Sequence, residues 1–230
     1  MKQELLQFLR VRESSQAKRV KVEYRKGFFT IVRPEGVDID KEEVVEEYRE
    51  WFEDMLPKAC EYRESVPDRC FEEGSEIQVL GVDKCIVVER CRTGQVSDNV
   101  YLAEHLVERS GVKDRLEVVL RRYARSVFEE KVDKFSQKID GDFNKIFVRD
   151  QGTRWGSCSS KNNLNFNWRL ILGPEHVLDY VVVHELVHLE ELNHSKRFWK
   201  RVEEIYPSYE RSSRWLSENS AKLVFDTSKF

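Results

Sequence analysis

The segment Val181–Trp199, VVVHELVHLEELNHSKRFW, constrains the fold more than any other part of the chain. Its valines and leucines are typical of a buried helix, yet His184, Glu185 and His188 interrupt them, and His194 follows closely. Buried imidazole and carboxylate groups need partners, because burying an unpaired polar group costs free energy. The segment therefore predicts a core helix that carries a polar site.

The spacing of His184 and His188 predicts that this site binds one zinc ion. Residues four apart project from the same face of a helix, so both imidazoles can bind one tetrahedral zinc ion. Glu185 lies beside that face, where it can accept a proton from water, whose pKa zinc lowers to about 7. This is the H-E-x-x-H pattern. The alternative interpretation, a core helix with hydrogen-bonded histidines, leaves three imidazoles without a named partner.

A third protein ligand is needed for a catalytic zinc site, and the sequence offers two sources. Asn193 tolerates the left-handed conformation that ends many helices, so the chain can turn there and bring His194 back toward the metal. Glu203 and Glu204 on the next predicted helix are the competitors, since carboxylates also complete such sites. We prefer His194, with the carboxylates as the alternative.

Apolar spacing along the whole chain predicts an α+β fold with a boundary near Ser110–Gly111. Residues 1–110 are expected to form a β-rich N-terminal region with one long helix. Two antiparallel strands in this region are expected to turn at Lys26–Gly27. Residues 111–230 are expected to form the catalytic core, in which helices pack on a small antiparallel sheet. The length of 230 residues suits one or two domains.

The stretch Leu164–Leu170, LNFNWRL, alternates strictly and predicts a strand beside the active-site helix. One face is expected to be buried and the other to carry polar side chains: Leu164, Phe166, Trp168 and Leu170 on the first, Asn165, Asn167 and Arg169 on the second. An exposed edge of such a strand can receive an extended peptide through backbone hydrogen bonds. The alternative is that the strand only supports the helix.

The preceding segment, GTRWGSCSSKNN, predicts a loop and a tight turn. Arg154 is a candidate binder of an anion or a carbonyl near the metal, and Trp155 is a candidate pocket wall. The alternatives are a solvated charge and a core aromatic residue. Together with Asn167 and Arg169, these two residues are the candidate substrate-binding residues. Cys158 is interpreted as a small buried residue in preference to an inhibitory thiolate.

Composition excludes several classes of protein. The 39 basic and 42 acidic residues give a net charge of -3, which does not indicate a nucleic-acid partner, although a local basic patch is compatible with this balance. No apolar run in the sequence reaches bilayer length, and the first residues are too polar for a signal peptide. We therefore expect a cytoplasmic protein without a membrane partner. The five cysteines contain no C-x-x-C pair and are expected to be reduced thiols.

The sequence from Arg154 to Trp199 closely resembles the YgjP-like metallopeptidase family, and more loosely the SprT-like and WLM zinc proteases. The upstream segment FEEGSEIQVLGVDKCIVV and the paired N-terminal strands also resemble the family, although this segment departs from the family's usual D-G and L-G-K-x-Y motifs. The resemblance implies a zincin-like, metal-dependent hydrolase core. It implies His184, His188 and His194 as the ligands of one zinc ion per chain, and Glu185 as the general base.

A zinc-dependent metallopeptidase acting on polypeptides is the function that these patterns favour. A metal-dependent nucleoside triphosphate pyrophosphatase is the alternative enzyme, in which Arg154, Lys161 and Arg169 would hold the phosphates of a nucleotide. A nucleic-acid-associated module with a structural metal is the third interpretation. The spare carboxylate of Glu185 argues against that module, because a closed structural site needs no base.

Overall fold

The structure of the protein is a computed structural model that describes residues 5, 8–25, 27–152 and 154–226. The α+β class predicted from the sequence is confirmed: the described residues form six α-helices and three small sheets. The chain divides into two compact units, residues 1–67 with 226–230 and residues 68–225. None of the helices within the described residues is long and apolar enough to cross a membrane.

The described part of the first unit contains a three-stranded sheet and two helices with defined bounds. Its elements are β1 (Leu9–Ser14), β2 (Lys21–Arg25), β3 (Phe28–Pro34), α1 (Lys41–Glu47) and α2 (Arg49–Glu64). Strands β2 and β3 are antiparallel, as predicted, and the turn between them passes through Gly27 at a φ of 75°, while Lys26 lies outside the described residues. Strand β1 pairs parallel with β3, and this third strand was not expected.

The second unit begins with a four-stranded sheet in the order β4-β5-β7-β6. Its strands are β4 (Glu76–Val79), β5 (Val82–Glu89), β6 (Gln95–Val96) and β7 (Val100–Ala103), and the long helix α3 (Glu104–Ser136) follows. Gly111 breaks this helix with a φ of 82° and a ψ of 162°. The boundary predicted at Ser110–Gly111 therefore falls on a helix break, whereas the compact units divide after Pro67. The division into functional domains stays a prediction.

The third sheet has the order β8-β10-β9 and carries one wall of the site. Strand β10 (Asn163–Asn167) lies in the centre, parallel to β8 (Lys145–Arg149) and antiparallel to β9 (Gly156–Cys158). The ring of Phe166 in β10 stacks on Phe128 of α3, with 4.6 Å between the centroids. The sheet is thereby fixed on the long helix, with β9 at its edge.

The predicted strand Leu164–Leu170 is shorter than expected. It ends at Asn167, and Trp168–Leu172 form a 3₁₀ helix. The side-chain oxygen of Asn167 accepts a hydrogen bond from the backbone N–H of Arg169 at 3.2 Å and so caps this turn. The four apolar residues predicted to be buried are buried. The alternation correctly predicted which residues are buried. It did not predict the end of the strand, which coincides with the cap at Asn167.

Three helices complete the second unit: α4 (Glu175–Val187), α5 (Lys196–Ile205) and α6 (Tyr209–Asn219). Helix α4 begins directly after Pro174 and is apolar on nearly every face. It can therefore pack against several elements at once, namely α3, α5, α6 and β9. The hydroxyl of Ser195 caps α5 by accepting a hydrogen bond from the N–H of Phe198 at 3.4 Å. A buried helix thus reaches the site with one end, between β9 and the start of α5.

Candidate metal centre and active site

The C-terminal end of α4 carries His184, Glu185 and His188. His188 caps the helix with a φ of −64° and a ψ of −12°, so it still lies on the helical face of His184. The centroids of these two rings are 5.0 Å apart. The chain then turns sharply, because the N–H of Leu189 bonds back to α4 and the N–H of Glu191 bonds to Val187 at 2.9 Å.

His194 returns to this helix end, in the position that the sequence favoured. Its Nε2 lies 3.0 Å from Nε2 of His184, and its ring centroid lies 4.8 Å from that of His188. Each of the three rings offers one nitrogen, and these nitrogens lie within 4.8 Å of one another. A tetrahedral zinc ion with nitrogens at 2.0–2.1 Å would separate them by about 3.3 Å. The all-imidazole donor set fits such an ion, and the 3.0 Å separation of His184 and His194 is close to this spacing, whereas the full spread of 4.8 Å exceeds it.

The surroundings of the three rings orient them. Nδ1 of His188 lies 3.0 Å from the carbonyl oxygen of Glu191, which leaves its Nε2 free for a metal. Phe198 is fully buried and contacts all three rings, with centroid distances of 4.6–4.9 Å. The ring of His194 also stacks on Trp199. Within the described residues, Nδ1 of His184 is buried without a hydrogen-bond partner.

Burial favours the neutral imidazoles of His184 and His188, which is the form that binds metals. It lowers the pKa of His184 to about 3, and repulsion from His188 and His194 adds to the effect. Burial is also the main reason why the pKa of His188 lies below its ordinary value. Neutral ring nitrogens of His184 and His188 are therefore available at the end of α4 at neutral pH.

Glu185 lies against β9 and is only 5% exposed. Burial raises the pKa of its carboxyl group to about 8, opposed by a hydrogen bond from the backbone N–H of Cys158 and by the charge of Arg154. A metal cation beside the carboxyl group would lower this raised pKa, because the positive charge favours the carboxylate. The backbone of Gly156 lies so close that a Cβ there would be 2.5 Å from Oε1 of Glu185. The carboxylate is thus wedged against the edge strand.

A pocket of about 380 Å³ opens over the rings and the carboxylate. Its lining comes from β9 and the following turn, from the end of α4, and from the segment leading to α5: Arg154, Gly156, Ser157, Cys158, Ser159, Ser160, His184, Glu185, His188, Leu192 and His194. Burial and, secondarily, the carboxylate of Glu185 raise the pKa of the Cys158 thiol, so it is protonated at neutral pH. All five cysteines, which lie in the described part of the chain, are free.

Strand β9 is an edge strand of its sheet and lines this pocket. On its inner side, the carbonyl oxygen of Trp155 accepts a hydrogen bond from the N–H of Asn167, and the N–H of Ser159 donates one to the carbonyl oxygen of Asn163. Because alternate residues of an antiparallel strand point to opposite sides, the main-chain groups of Gly156 and Cys158 point away from β10. The hydrogen bond from Cys158 to Glu185 has this direction.

The four candidate substrate-binding residues lie in different surroundings. Arg154 is exposed and lines the pocket, whereas Trp155 packs against the core and does not line it. Asn167 is completely buried and donates hydrogen bonds to the carbonyl oxygens of Gln151 and Arg154, at 2.7 and 3.2 Å. Arg169 forms an ion pair with Asp150. Asn167 and Arg169 therefore brace the loop before β9 and do not face the pocket.

The expectation that the strand Leu164–Leu170 offers a free edge is wrong. Strand β10 is the central strand of its sheet and has hydrogen-bonded neighbours on both sides. The edge belongs to β9, whose Gly156 was interpreted only as part of a loop. A glycine in or beside a strand can mark the close approach of another group, so Gly156 was a signal in the sequence for the contact with Glu185. No signal in the sequence predicted that Leu192 is exposed beside the site.

The other cations and carboxylates considered for the site do not line its pocket. Lys161 is exposed in the turn between β9 and β10. Glu204 lies near Lys200 and Arg201, with nitrogen–oxygen distances of 3.9 and 3.4 Å. Among the described residues, the group able to hold a metal consists of the three histidines, without Glu203 or Glu204.

Comparison with known proteins identifies the family. The chain is similar to the crystal structure of the metallopeptidase zymogen of Pyrococcus abyssi abylysin, with 18% identity over 40% of this chain and 95% of that chain, and a TM-score of 0.37. No curated protein matches the sequence. The family described as the YgjP-like metallopeptidase domain matches residues 17–219, which is most of the chain. The resemblance seen in the sequence is confirmed, and this chain belongs to the YgjP-like metallopeptidase family.

Proposed function

We propose that the protein is a zinc-dependent metallopeptidase in which His184, His188 and His194 hold one metal ion and Glu185 is the general base. One observation carries this proposal: three convergent imidazoles and a buried carboxylate line the same open pocket. A structural zinc site is closed by four protein ligands, whereas a catalytic site has three and keeps one position open. When bound, zinc supplies a Lewis acid that polarises a carbonyl group and lowers the pKa of water to about 7.

Glu185 moves the proton in this proposal. Its carboxylate accepts a proton from the attacking water and later donates that proton to the nitrogen of the leaving amine. The backbone N–H of Cys158 holds the carboxylate in place through a hydrogen bond. Gly156 leaves the space that the carboxylate occupies, since any larger residue would overlap it. Helix α4 and strand β9 thus cooperate in orienting one side chain.

The substrate of this proposed enzyme is an extended polypeptide on the edge of β9. The main-chain groups of Gly156 and the carbonyl oxygen of Cys158 point outward and suit pairing with an added strand, whereas the N–H of Cys158 is bonded to Glu185. Such pairing gives affinity with little side-chain selectivity. Arg154 is exposed on the same wall of the pocket, and its charge acts on Glu185. A guanidinium group in that place can stabilise negative charge that develops on a carbonyl oxygen.

The nucleotide alternative has less support. Hydrolysis of a triphosphate needs several cations around the phosphates. Of the three cations considered, Arg154 lines the pocket, Lys161 does not, and Arg169 is already paired with Asp150. The nucleic-acid-associated module has no further support either, since the pocket is open over the histidines. A cytoplasmic location stays a prediction from the sequence.

The test measures metal and activity together. Purified protein should contain one zinc ion per chain by mass spectrometry of the metal, and it should cleave casein in a manner that a chelator abolishes and zinc restores. Glu185→Gln should keep the metal and the circular dichroism spectrum but cleave about a hundredfold to ten-thousandfold more slowly, because an amide cannot accept the proton. A Glu185→Gln protein that cleaves casein at the parental rate would remove Glu185 as the base. Hydrolysis of a nucleoside triphosphate without any peptide cleavage would favour the alternative.

A further inference from the structure

Leu192 is an exposed apolar side chain at the rim of the candidate site. It is 85% exposed, more than any other large apolar residue that the structure describes as exposed. The other four are Val11, Val37, Val82 and Val118, and none of them lines the pocket. A single exposed apolar residue on a protein surface is ordinary. Leu192 requires an explanation because it lines the pocket and because hydrogen bonds hold the chain on both sides of it.

The chain on both sides of Leu192 is held firmly. The N–H of Glu191 bonds to Val187, its carbonyl oxygen lies 3.0 Å from Nδ1 of His188, and its carboxylate pairs with Arg197 at 2.8 Å. On the other side, the side chain of Asn193 accepts a hydrogen bond from the N–H of Ser195 at 3.1 Å. The segment therefore cannot easily fold back to bury the leucine without losing these bonds.

Two metal-binding candidates bracket this leucine in the chain. His188 precedes it by four residues and His194 follows it by two, so its distance from a bound metal is fixed by the same turn that brings the histidines together. Any group that reaches the metal and Glu185 enters the pocket whose wall includes Leu192. The leucine is thus presented to whatever occupies the pocket.

Leu192 is the one aliphatic side chain among the described residues that line the pocket. Strand β9 and the turn after it contribute Ser157, Ser159, Ser160 and the guanidinium of Arg154, and the floor is formed by imidazoles and a carboxylate. Pairing with the edge of β9 recognises a peptide backbone and not its side chains. An apolar side chain placed against Leu192 would remove water from both apolar surfaces, which is favourable. Leu192 therefore adds a preference for particular substrate side chains to a site that otherwise recognises only the peptide backbone.

We infer that Leu192 determines specificity by contacting an apolar side chain of the substrate next to the bond that is cleaved. This inference rests on the proposed peptidase function and names its substrate class: polypeptide segments rich in apolar residues. Folded proteins bury such segments, so unfolded chains are the substrates that present them. The expected preference is about tenfold, the lower end of what one apolar contact contributes to discrimination.

The experiment begins by mapping the bonds that the zinc-loaded full chain cleaves in unfolded casein, using mass spectrometry of the products. Short fluorogenic peptides built on the best site then vary one flanking position at a time among leucine, phenylalanine, serine and aspartate. We expect kcat/KM for the apolar residues to exceed that for serine about tenfold at one flanking position. Leu192→Ser should reduce this ratio to near one, and Leu192→Lys should raise the relative rate for aspartate.

The matched control is Val82→Ser, which alters another exposed apolar residue, 57% exposed and outside the pocket. It should leave the ratio as it is in the parent. A binding measurement separates recognition from chemistry: the zinc-loaded Glu185→Gln protein should bind the labelled leucine peptide more tightly than the serine peptide, and adding Leu192→Ser should remove the difference.

The outcomes are distinguishable. If no peptide is cleaved or bound by the zinc-loaded protein, the proposed function fails and this inference fails with it. If peptides are cleaved but the parent has no apolar preference, or Leu192→Ser keeps that preference, the inference alone is overturned. If Leu192→Ser changes the oligomeric state in sedimentation while the preference persists, Leu192 belongs to an interface between copies of the chain, and the inference is also overturned.

Discussion

Replacing Gly156 by alanine tests how closely the position of Glu185 depends on the edge strand. A Cβ at this position would lie 2.5 Å from Oε1, 2.7 Å from Cγ and 2.9 Å from Cδ of Glu185. Carbon atoms in contact are normally separated by about 3.5–4.0 Å. Because Cγ is overlapped as well as the carboxylate, the whole side chain of Glu185 must move, by about 1 Å. Gly156 has no positive φ, so the alanine would act by steric overlap and not through backbone strain.

The expected cost follows from this displacement. A misplacement of about 1 Å in a catalytic group can lower the rate about a hundredfold, which corresponds to about 2.7 kcal/mol of transition-state stabilisation. The three atoms nearest to the new methyl group all belong to Glu185 and none to a histidine, so zinc content should stay at the parental level. We therefore expect a folded, zinc-containing protein whose kcat falls by about two orders of magnitude.

The assay compares Gly156→Ala with Gly152→Ala, in casein or peptide cleavage with zinc content measured on the same samples. Gly152 lies in the same loop region, has no positive φ, and its added Cβ would meet nothing within 4 Å. Gly152→Ala should therefore keep the parental rate. Parental activity of Gly156→Ala with normal zinc content would refute the argument that β9 positions Glu185. Equal loss in both variants would mean that the loop, and not the contact with Glu185, controls the rate.

Three further predictions concern the metal and the framework around it. His194→Ala should lose most of its zinc while Glu203→Ala keeps it, as measured by metal analysis; the reverse result would transfer the third ligand to α5. Asn167→Ala should lower the free energy of unfolding in urea by about 1–3 kcal/mol, because the carbonyl oxygens of Gln151 and Arg154 lose the donor that the buried Asn167 supplies; an unchanged urea midpoint would contradict this. Lys131 is buried and pairs with Asp179 at 3.1 Å. Lys131→Met should therefore cost about 3–5 kcal/mol in the same urea measurement, by leaving a buried carboxylate unpaired, and a loss below about 1 kcal/mol would show that water already solvates it.

The sequence by itself determined the local part of the site. The helix period places residues four apart on one face, so His184 and His188 meet whatever surrounds them. The valines and leucines around them predicted a buried helix, and α4 is buried. His194 required only a turn within a few residues. The helix ends at Val187 and Asn193 does not adopt the left-handed conformation expected of it; instead its side chain accepts a hydrogen bond from the N–H of Ser195. These features depend on short-range geometry, and for that reason they could be predicted.

Tertiary structure decided which strand faces the pocket. Alternation in Leu164–Leu170 reports which side chains are buried, but it has no information about the strand's neighbours. The order β8-β10-β9 puts Asn167 in the interior as a brace and gives the edge to the three residues Gly156–Cys158. That order is set by distant contacts, such as the stacking of Phe166 on Phe128 of α3. Hydrogen-bond partners across a sheet are chosen by packing far along the chain, and therefore the strand beside Glu185 could be identified only in the folded protein.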